Sequence, residues 1–303
     1  MNNFDIAIIG GGPAGYTAAI YAGRAGYSSV VFEKFSPGGQ MGITTSIENY
    51  PGFPEVDGFT LTEKMMKQAK KFGAVMKSEE ISQVKLSGDV KTLTTGKNVY
   101  TASAVIIAAG AKPRYLGVPG ELEFSGRGVS YCASCDGMFY RGKTVVVNGG
   151  GDTAVEDALY LANICEKVIV VHRRNEFRAS PHGVKKLREK DNITLVMDSV
   201  VEKITGESKV SAVELRNVST NELTTLPCDG IFVAVGRIPD TEIYKNQLEL
   251  DKSGYISAGE DCKTSVDGVF AAGDVRTKAL RQIVTACSDG ANALKSAEEW
   301  LNR

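Results

Sequence analysis

The chain has 303 residues, which is enough for about two domains of 100 to 200 residues, each with its own hydrophobic core. Hydrophobic residues make up 43% of it and charged residues 23%, so neither a disordered chain nor a coiled coil fits. With 35 Lys and Arg against 36 Asp and Glu, the net charge of −1 leaves no broad basic surface, and we expect no nucleic-acid partner.

The N-terminal segment predicts a soluble cytoplasmic protein that begins with a βαβ unit. Four residues precede the first apolar run, with no basic leader and no apolar stretch near 18 residues, so we expect no membrane association. Residues 5–9 read as a strand, 13–25 as a helix, and 30–32 as a second strand closed by Glu33.

A glycine-rich turn with the spacing G-x-G-x-x-G joins the first strand to the helix. Glycines at 10, 12 and 15 let the backbone approach a pyrophosphate at the helix N-terminus. Such a turn alone also simply links a strand to a helix, so its position between these two elements carries the argument. Glu33 lies where a ribose 2′-hydroxyl would need an acceptor, which indicates a dinucleotide without a 2′-phosphate, such as FAD or NAD.

The same pattern occurs a second time. Residues 144–147 form an apolar run before GGGDTA, 153–164 read as a helix, and 168–171 form a strand. This strand ends in His172 and two arginines rather than an acid. Because guanidinium groups bind phosphate strongly, the second unit predicts NADPH rather than NADH. The alternative is a solvated basic face that continues through residues 185–188.

The C-terminal segment completes the first module. Each copy is followed by a buried strand, at 104–110 and at 230–236, and a further strand at 269–273 precedes Asp274 and a final helix over 282–300. We therefore predict an α/β protein of two Rossmann-like dinucleotide-binding domains, the second inserted into the first. The predicted domains are 1–113 with 242–303 for FAD, and 114–241 for NADPH.

Only two of the six cysteines, Cys132 and Cys135, are close in the sequence, and the chain has only two histidines. A zinc cage therefore does not fit, and we expect no metal. The C-x-x-C spacing allows a small redox-active disulfide, with Asp136 as a proton donor to a leaving thiolate. A structural disulfide or two buried thiols are the alternatives, although structural disulfides are rare in the cytoplasm.

Gly273 and Asp274 also allow two interpretations. They can mark a strand end and a turn, or the Asp274 carboxylate can accept from a ribityl hydroxyl while the helix near Gln282 directs its N-terminus at an isoalloxazine ring.

These motifs, in this order, resemble the low-molecular-weight thioredoxin reductases over essentially the whole chain. The resemblance is carried by GGGPAGYTAAIYA at 10–22, GGQ at 38–40, ENYPG at 48–52, CASCDG at 132–137, GGGDTAVEDALYL at 149–161, HRRNEFRA at 172–179 and GVFAAGDV at 268–275. It implies an NADPH-dependent flavoprotein, a homodimer, that passes electrons through FAD and the Cys132–Cys135 pair to thioredoxin or a thioredoxin-like protein.

The resemblance also implies a set of site residues. Cys135 would face the flavin, Cys132 would attack the partner disulfide, and Asp136 would be the acid. The FAD contacts would be Gly10, Gly12, Pro13, Ala14, Gly15, Glu33, Lys34, Gly39, Gln40, Asn49, Gly110, Gly273, Asp274, Arg281, Gln282 and Ile283. The NADPH contacts would be Gly151, Asp152, Thr153, Ala154, His172, Arg173, Arg174 and Arg178.

Three other functions use the same motifs. One is an FAD-dependent dithiol oxidase, and another is a reductase of peroxiredoxin or of glutaredoxin-like proteins. The third is a non-catalytic redox sensor that binds NADPH. The arginine cluster argues against an oxidase, which would not need NADPH, and a sensor leaves the C-x-x-C unexplained.

Overall fold

A computed structural model of the chain describes residues 2–34, 37–44 and 46–303. It divides into two compact units, with Met1–Lys112 and Ile238–Arg303 in unit 1 and Pro113–Arg237 in unit 2. The first segment of unit 1 ends one residue before the predicted boundary at 113, and unit 2 ends four residues before the predicted boundary at 241. Which cofactor each unit binds remains a prediction.

The secondary structure alternates strands and helices in the first half of each unit. The strands are β1 (Asn3–Ile9), β2 (Ser29–Phe32), β3 (Val75–Lys77), β4 (Ile81–Lys85), β5 (Lys91–Thr95), β6 (Val99–Ile107), β7 (Ala111–Pro113), β8 (Val129–Ser130), β9 (Thr144–Asn148), β10 (Lys167–Val171), β11 (Ile193–Val196), β12 (Ser199–Gly206), β13 (Val210–Asn217), β14 (Leu223–Pro227), β15 (Gly230–Val233), β16 (Arg237–Pro239) and β17 (Val269–Ala271). The helices are α1 (Pro13–Arg24), α2 (Gly58–Lys71), α3 (Ala133–Asp136), α4 (Asp152–Ala162), α5 (Pro181–Arg188) and α6 (Ile283–Leu301), with 3₁₀ turns at Met41–Ile43, Gly137–Tyr140, Glu242–Tyr244 and Gly273–Val275.

The sheet of unit 1 has the strand order β3-β2-β1-β6-β5-β4. Strands β3, β2, β1 and β6 are parallel, and the second half of β6 also pairs in parallel with β17. The first half of β6 pairs with β5 in antiparallel orientation. Because β1, β2, β6 and β17 are parallel, their carboxyl ends lie at the same edge of the sheet.

Unit 2 repeats this arrangement in its own sheet, with parallel strands in the order β11-β10-β9-β15-β8. Helix α4 connects β9 to β10 just as α1 connects β1 to β2. A separate antiparallel sheet, β12-β13-β14, follows. The predicted fold class, α/β with two Rossmann-like modules and the second inserted in the first, is confirmed.

The parallel strands form because their residues are apolar on both faces. Val145, Val146 and Val147 of β9, for example, are fully buried, as expected for a parallel sheet covered on both sides. Helix α1 buries four alanines, Ala14, Ala18, Ala19 and Ala22, and these small side chains allow it to pack against α6 and the sheet. One detail differs from the sequence analysis, in which the helix of the second unit extended to residue 164. Helix α4 ends at Ala162, and Cys165 is buried beyond it.

Among the described residues, the longest helices are too polar or too short to cross a lipid bilayer.

Candidate active site

The first glycine turn contains two glycines that the chain itself requires. Gly10 has φ +113°, a left-handed conformation, and a Cβ there would overlap the carbonyl oxygen of Ala108. A Cβ on Gly15 would overlap the carbonyl oxygen of Gly10. These contacts hold α1 close to the sheet, so the first and third glycines of the motif serve packing.

Gly12 is different, because the chain gives no reason for a glycine there. It has φ −91°, which any residue adopts, and the nearest atom to a Cβ would be the Gly38 carbonyl oxygen at 3.9 Å. Gly12 is also the N-cap of α1, without a side-chain cap and without an acid in the first turn. The turn therefore leaves room and uncapped N–H groups for an anion, which fits the pyrophosphate of a dinucleotide.

In the second glycine turn, as in the first, two glycines are required by packing and one is not. A Cβ on Gly149 would overlap the carbonyl oxygen of Ala234, and one on Gly150 would overlap the ring of His172. Gly151, the N-cap of α4, has φ −99° and no atom within 4 Å of a Cβ position. The predicted residues Asp152, Thr153 and Ala154 form the first turn of α4. Unlike α1, α4 has an acid in its first turn, Asp152, whose Oδ1 accepts a hydrogen bond from the Ser180 N–H at 2.8 Å. The open N-cap at Gly151 leaves room for a pyrophosphate.

The side chains that follow the second strand of each module carry opposite charge. In unit 1, Glu33 Oε2 accepts a hydrogen bond from the Gly11 N–H at 2.9 Å, which fixes the carboxylate beside the glycine turn. In unit 2, Arg173, Arg174 and Arg178 are exposed, and the Arg178 N–H donates to the Gly150 carbonyl at 2.8 Å. The structure thus brings the acid to the first turn and the arginines to the second.

His172 lies beneath the arginines, 5% exposed, with its ring stacked on Phe177 at 5.5 Å between centroids. Burial lowers the pKa of His172, and the charges of the three arginines lower it further, against a raising contribution from the Glu176 carbonyl. The imidazole is therefore neutral at pH 7, and the positive charge of this edge comes from the arginines.

The remaining predicted FAD residues lie in unit 1, several of them at one edge of the sheet. Gly10, Glu33, Gly110 and Gly273 follow β1, β2, β6 and β17, whose carboxyl ends meet there. The loop with Gly39 and Gln40 reaches the first turn through a hydrogen bond from the Gly38 N–H to the Gly11 carbonyl at 2.8 Å.

The start of α6 forms a second part of this site. Gln282 is the N-cap of α6, directly before Ile283, and its Oε1 accepts a hydrogen bond from Asn49 at 3.0 Å. Arg281 lies over the ring of Tyr255 at 4.2 Å, and its Nε is buried without a hydrogen-bond partner among the described residues. A buried N–H donor of this kind fits a polar ligand that the chain itself does not supply.

Lys34, a predicted FAD contact, forms ion pairs with acidic side chains of the protein itself. Its Nζ lies 2.5 Å from Asp240 Oδ2 and 3.7 Å from Glu80 Oε1. The side chain is thus held by two acids, and a contact between Lys34 and FAD remains a prediction.

The predicted disulfide is formed within unit 2. Cys132 and Cys135 are joined with their Cα atoms 5.3 Å apart, in a turn where Cys132 is the N-cap of α3. Cys135 is exposed and Cys132 is half-buried. The other four cysteines are free thiols. Which sulfur attacks a partner and which faces the flavin remains a prediction.

Asp136 ends the same single-turn helix and is half-buried. Burial raises its pKa, while a hydrogen bond from Ser130 at 2.6 Å lowers it. A raised pKa keeps more of the carboxyl protonated, which suits an acid. The sequence analysis did not single out Ser130, although a polar residue directly before the cysteine turn, in an otherwise apolar strand, is a signal that could have found it.

Sequence analysis also missed Asp289 of α6, which is 4% exposed. Its carboxylate accepts hydrogen bonds from the Gly273 N–H at 2.8 Å and from the side chains of Arg276 and Lys278. Asp289 thereby holds the turn that carries Asp274. No motif marks this acid, because its partners belong to a different element.

Two dinucleotide-type modules and a closed C-x-x-C disulfide in one chain define a disulfide oxidoreductase that works with nucleotide cofactors. Comparison with known proteins agrees. The profile of the pyridine nucleotide-disulphide oxidoreductases matches residues 4–290. The thioredoxin reductase of Mycolicibacterium smegmatis is 46% identical over 299 residues, which cover 98% of this chain and 96% of that protein.

Two further comparisons extend this result. The bifunctional thioredoxin reductase/thioredoxin of Mycobacterium leprae (strain TN) is 44% identical over 300 residues, 98% of this chain but only 66% of that protein. The crystal structure of thioredoxin reductase from Streptococcus pyogenes MGAS5005 matches with a TM-score of 0.93 at 44% identity and covers 99% of both chains. The chain belongs to the pyridine nucleotide-disulphide oxidoreductases, and within that family to the thioredoxin reductases.

Proposed function

We propose that this protein uses NADPH to reduce the disulfide of thioredoxin or a thioredoxin-like protein, with FAD and the Cys132–Cys135 pair as its internal carriers. The observation that carries the proposal is the closed Cys132–Cys135 disulfide at an exposed turn of the unit whose nucleotide edge is lined with arginines. FAD, when bound, supplies a carrier that takes a hydride from NADPH and delivers an electron pair to a disulfide.

The residues that would hold the two cofactors lie in separate units. In unit 1, the uncapped turn at Gly12 and the carboxylate of Glu33 suit an FAD pyrophosphate and ribose, and the buried Arg281 Nε offers a donor. In unit 2, the turn at Gly151 suits the NADPH pyrophosphate, and the exposed arginines suit its 2′-phosphate. We propose that the other predicted contact residues also bind the cofactor assigned to them.

The chain's own cysteines carry out the exchange with the partner. In the reduced protein, the Cys132 thiolate attacks one sulfur of the partner disulfide, a mixed disulfide forms, and the other partner sulfur leaves as a thiolate and takes up a proton. The Cys135 thiolate then attacks Cys132 Sγ, which re-forms the Cys132–Cys135 bond and releases the second partner thiolate. Two electrons have moved to the partner, and Asp136 donates a proton to a leaving thiolate.

Thioredoxin as the partner is supported by the names of the relatives, one of which combines reductase and thioredoxin in a single chain. A cytoplasmic location is supported by the four free thiols, since a reducing compartment keeps such cysteines unpaired. The homodimer implied by the resemblance belongs to the same proposal, and light scattering of the purified protein measures it.

The decisive experiment follows NADPH oxidation by purified protein with thioredoxin as the disulfide substrate. We expect a yellow protein whose colour is bleached by NADPH and which then turns over with thioredoxin. Cys135→Ser should keep the bound flavin and lose thioredoxin-dependent turnover by at least about 1,000-fold, because a lone thiol cannot re-form the disulfide. Cys165→Ala, at a buried free thiol of the same unit, is the control and should turn over like the wild type.

A colourless protein, or full turnover of Cys135→Ser, would contradict the proposal. NADPH oxidation that needs only oxygen would indicate an oxidase, and activity with a peroxiredoxin or glutaredoxin-like protein but not thioredoxin would change the partner.

A further inference from the structure

A single buried hydroxyl connects the cysteine turn to the acid in unit 2. Ser130 ends β8 and is 4% exposed. Its Oγ accepts a hydrogen bond from the Cys132 N–H at 3.1 Å and donates one to Asp136 Oδ2 at 2.6 Å. The second distance is that of a charge-assisted O–H···O⁻ bond, which is about 2.5 to 2.7 Å.

We propose that Ser130 is a positioning residue for the disulfide exchange, which ties the Asp136 carboxyl to the backbone of the cysteine turn. The inference rests on the proposed function, because it concerns the acid that serves the leaving thiolate. Tyr140 lies in the 3₁₀ turn that follows Asp136. The side-chain hydrogen bond that the structure shows for the Asp136 carboxyl, however, comes from Ser130. Without it, the carboxyl would lose its attachment to the backbone of Cys132.

The geometry of Ser130 suits an acid that changes its protonation state during turnover. A hydroxyl has one proton, and Ser130 has two acceptors in reach, Asp136 Oδ2 at 2.6 Å and the Cys132 carbonyl oxygen at 3.4 Å. When Asp136 is ionised, Ser130 donates to it. When Asp136 is protonated, the acid donates to Ser130 Oγ and the serine proton turns to the Cys132 carbonyl. Both states are thus hydrogen-bonded, and no proton is transferred to the serine.

The surroundings of Asp136 indicate which way its titration moves if the hydroxyl is removed. Burial raises the pKa of Asp136, and the Ser130 hydrogen bond opposes this. The titratable groups nearby are Tyr140, whose pKa is raised to about 12 by burial and by the Asp136 charge, and the Tyr160 phenol of α4, which packs beside Gly137. The Tyr140 phenol is therefore uncharged at neutral pH, and the Ser130 hydroxyl is the group that stabilises the Asp136 carboxylate.

The experiment measures the Asp136 carboxyl directly, by infrared difference titration of the flavin-loaded protein with the Cys132–Cys135 disulfide closed. The carboxyl band that Asp136→Asn removes identifies the signal. In Ser130→Ala we expect its midpoint to rise by about one pH unit, because a hydrogen bond to a charged group is lost. Ser130→Thr keeps the hydroxyl and should titrate like the wild type, while Ser130→Val, of the same shape as threonine, should shift like alanine.

The control is Ser199→Ala, a serine of the same unit that is 5% exposed and whose Oγ donates to the Met197 carbonyl at 2.9 Å. Its midpoint should not move. If Ser130→Ala unfolds, the threonine and valine pair gives the same comparison. An unmoved midpoint in folded Ser130→Ala and Ser130→Val, or an equal shift in Ser130→Thr, would overturn the inference.

A second readout connects the inference to turnover. Because the protonated acid is the active form, the rate of thioredoxin reduction falls as the pH rises through the pKa of Asp136. The alkaline limb of the rate profile should therefore move up with the carboxyl midpoint in Ser130→Ala. A limb that stays in place while the midpoint moves would contradict the positioning role. If the midpoint moves but the wild type never turns over with thioredoxin, the proposed function fails by itself.

Discussion

The clearest difference between the two modules is the charge of a few residues at one strand end. Glu33 binds the Gly11 N–H in unit 1, whereas Arg173, Arg174 and Arg178 are exposed in unit 2. Because His172 is neutral, it adds no positive charge to that of these arginines. A 2′-phosphate would be attracted to the second edge and repelled from the first.

Arginine substitutions should therefore change the choice between NADPH and NADH. We expect Arg173→Gln or Arg178→Gln to lower kcat/KM for NADPH by about 10- to 100-fold, the value of one lost charge-assisted contact, and to leave the rate with NADH nearly unchanged. Steady-state oxidation of both nucleotides measures this. Lys186→Gln, at an exposed lysine of α5, is the control for a merely solvated basic face. An equal loss in Lys186→Gln, or with NADH, would contradict the assignment.

At the scale of elements, a buried ionic cluster connects α6 to the turn after β17 in unit 1. Asp289 of α6 lies 2.7 Å from an Arg276 guanidinium nitrogen and 2.8 Å from Lys278 Nζ, and all three side chains are at most 8% exposed. Breaking such a buried contact leaves uncompensated charge. The Arg276–Asp289–Lys278 cluster therefore fixes the position of the turn that contains Asp274.

Asp289→Asn should destabilise unit 1 by about 3 kcal/mol, because two buried cations lose their counter-ion. Chemical denaturation with a probe in unit 1 measures this. Glu298→Gln, in an exposed pair with Lys295 on the same helix, is the matched control and should cost less than about 1 kcal/mol. Equal effects from the two variants would show that the buried cluster does not hold the turn.

The same prediction has a defined pH dependence. Burial raises the pKa of Asp289, but the hydrogen bonds from Arg276, Lys278 and the Gly273 N–H together lower it below its ordinary value. A carboxyl whose pKa is lower in the folded than in the unfolded protein stabilises the fold above the unfolded pKa, and this contribution is lost as the pH falls through the folded pKa. The difference between wild type and Asp289→Asn should thus be largest near neutral pH and shrink below about pH 4.

At the scale of the whole molecule, each of the four hydrophobic core clusters lies within one unit. Unit 2 is one continuous stretch of chain with two of these clusters. Unit 1 is built from two segments, and the second supplies β17, which pairs with β6, and α6, which packs against α1. The two units therefore differ in how they can fold.

We expect the isolated segment 113–237 to fold by itself and to bind 2′,5′-ADP, because its cores and its nucleotide turn are complete. The segment 1–112 alone should not fold, since β17 and α6 are missing from its core. Circular dichroism with thermal unfolding measures both, and 2′,5′-ADP retention measures binding. A folded 1–112 segment or an unfolded 113–237 segment would contradict this division.

Much of the fold could be predicted because it depends on patterns within short stretches of chain. The apolar runs around Ile8 and Val146, the glycine turns and the helices after them recur in both units, and the structure has them within a few residues of the predicted bounds. Element ends were less accurate, as at β6, which begins at Val99 rather than at 104. Strand ends depend on the neighbouring strand that supplies hydrogen bonds, here β5, and the sequence does not specify that neighbour.

In the candidate site, too, some features could be predicted from the sequence and others could not. The spacing of Cys132 and Cys135, the acid after β2 and the arginines after β10 were visible in the sequence, because local order along the chain determines them. The side-chain partners were not. Asp240 holds Lys34 from a position 206 residues away, and Asp289 reaches the turn after β17 from another helix.

The amino-acid sequence alone therefore determined the two nucleotide modules, their opposite charges and the redox pair, since all three depend on residue type and spacing over a few turns of chain. Only the tertiary structure decided that Ser130 would connect Cys132 to Asp136, that Asp289 would lie buried between two cations, and that glycines 12 and 151 would face open space. These features depend on burial and on distances between elements, which arise only when the sheets and helices are packed.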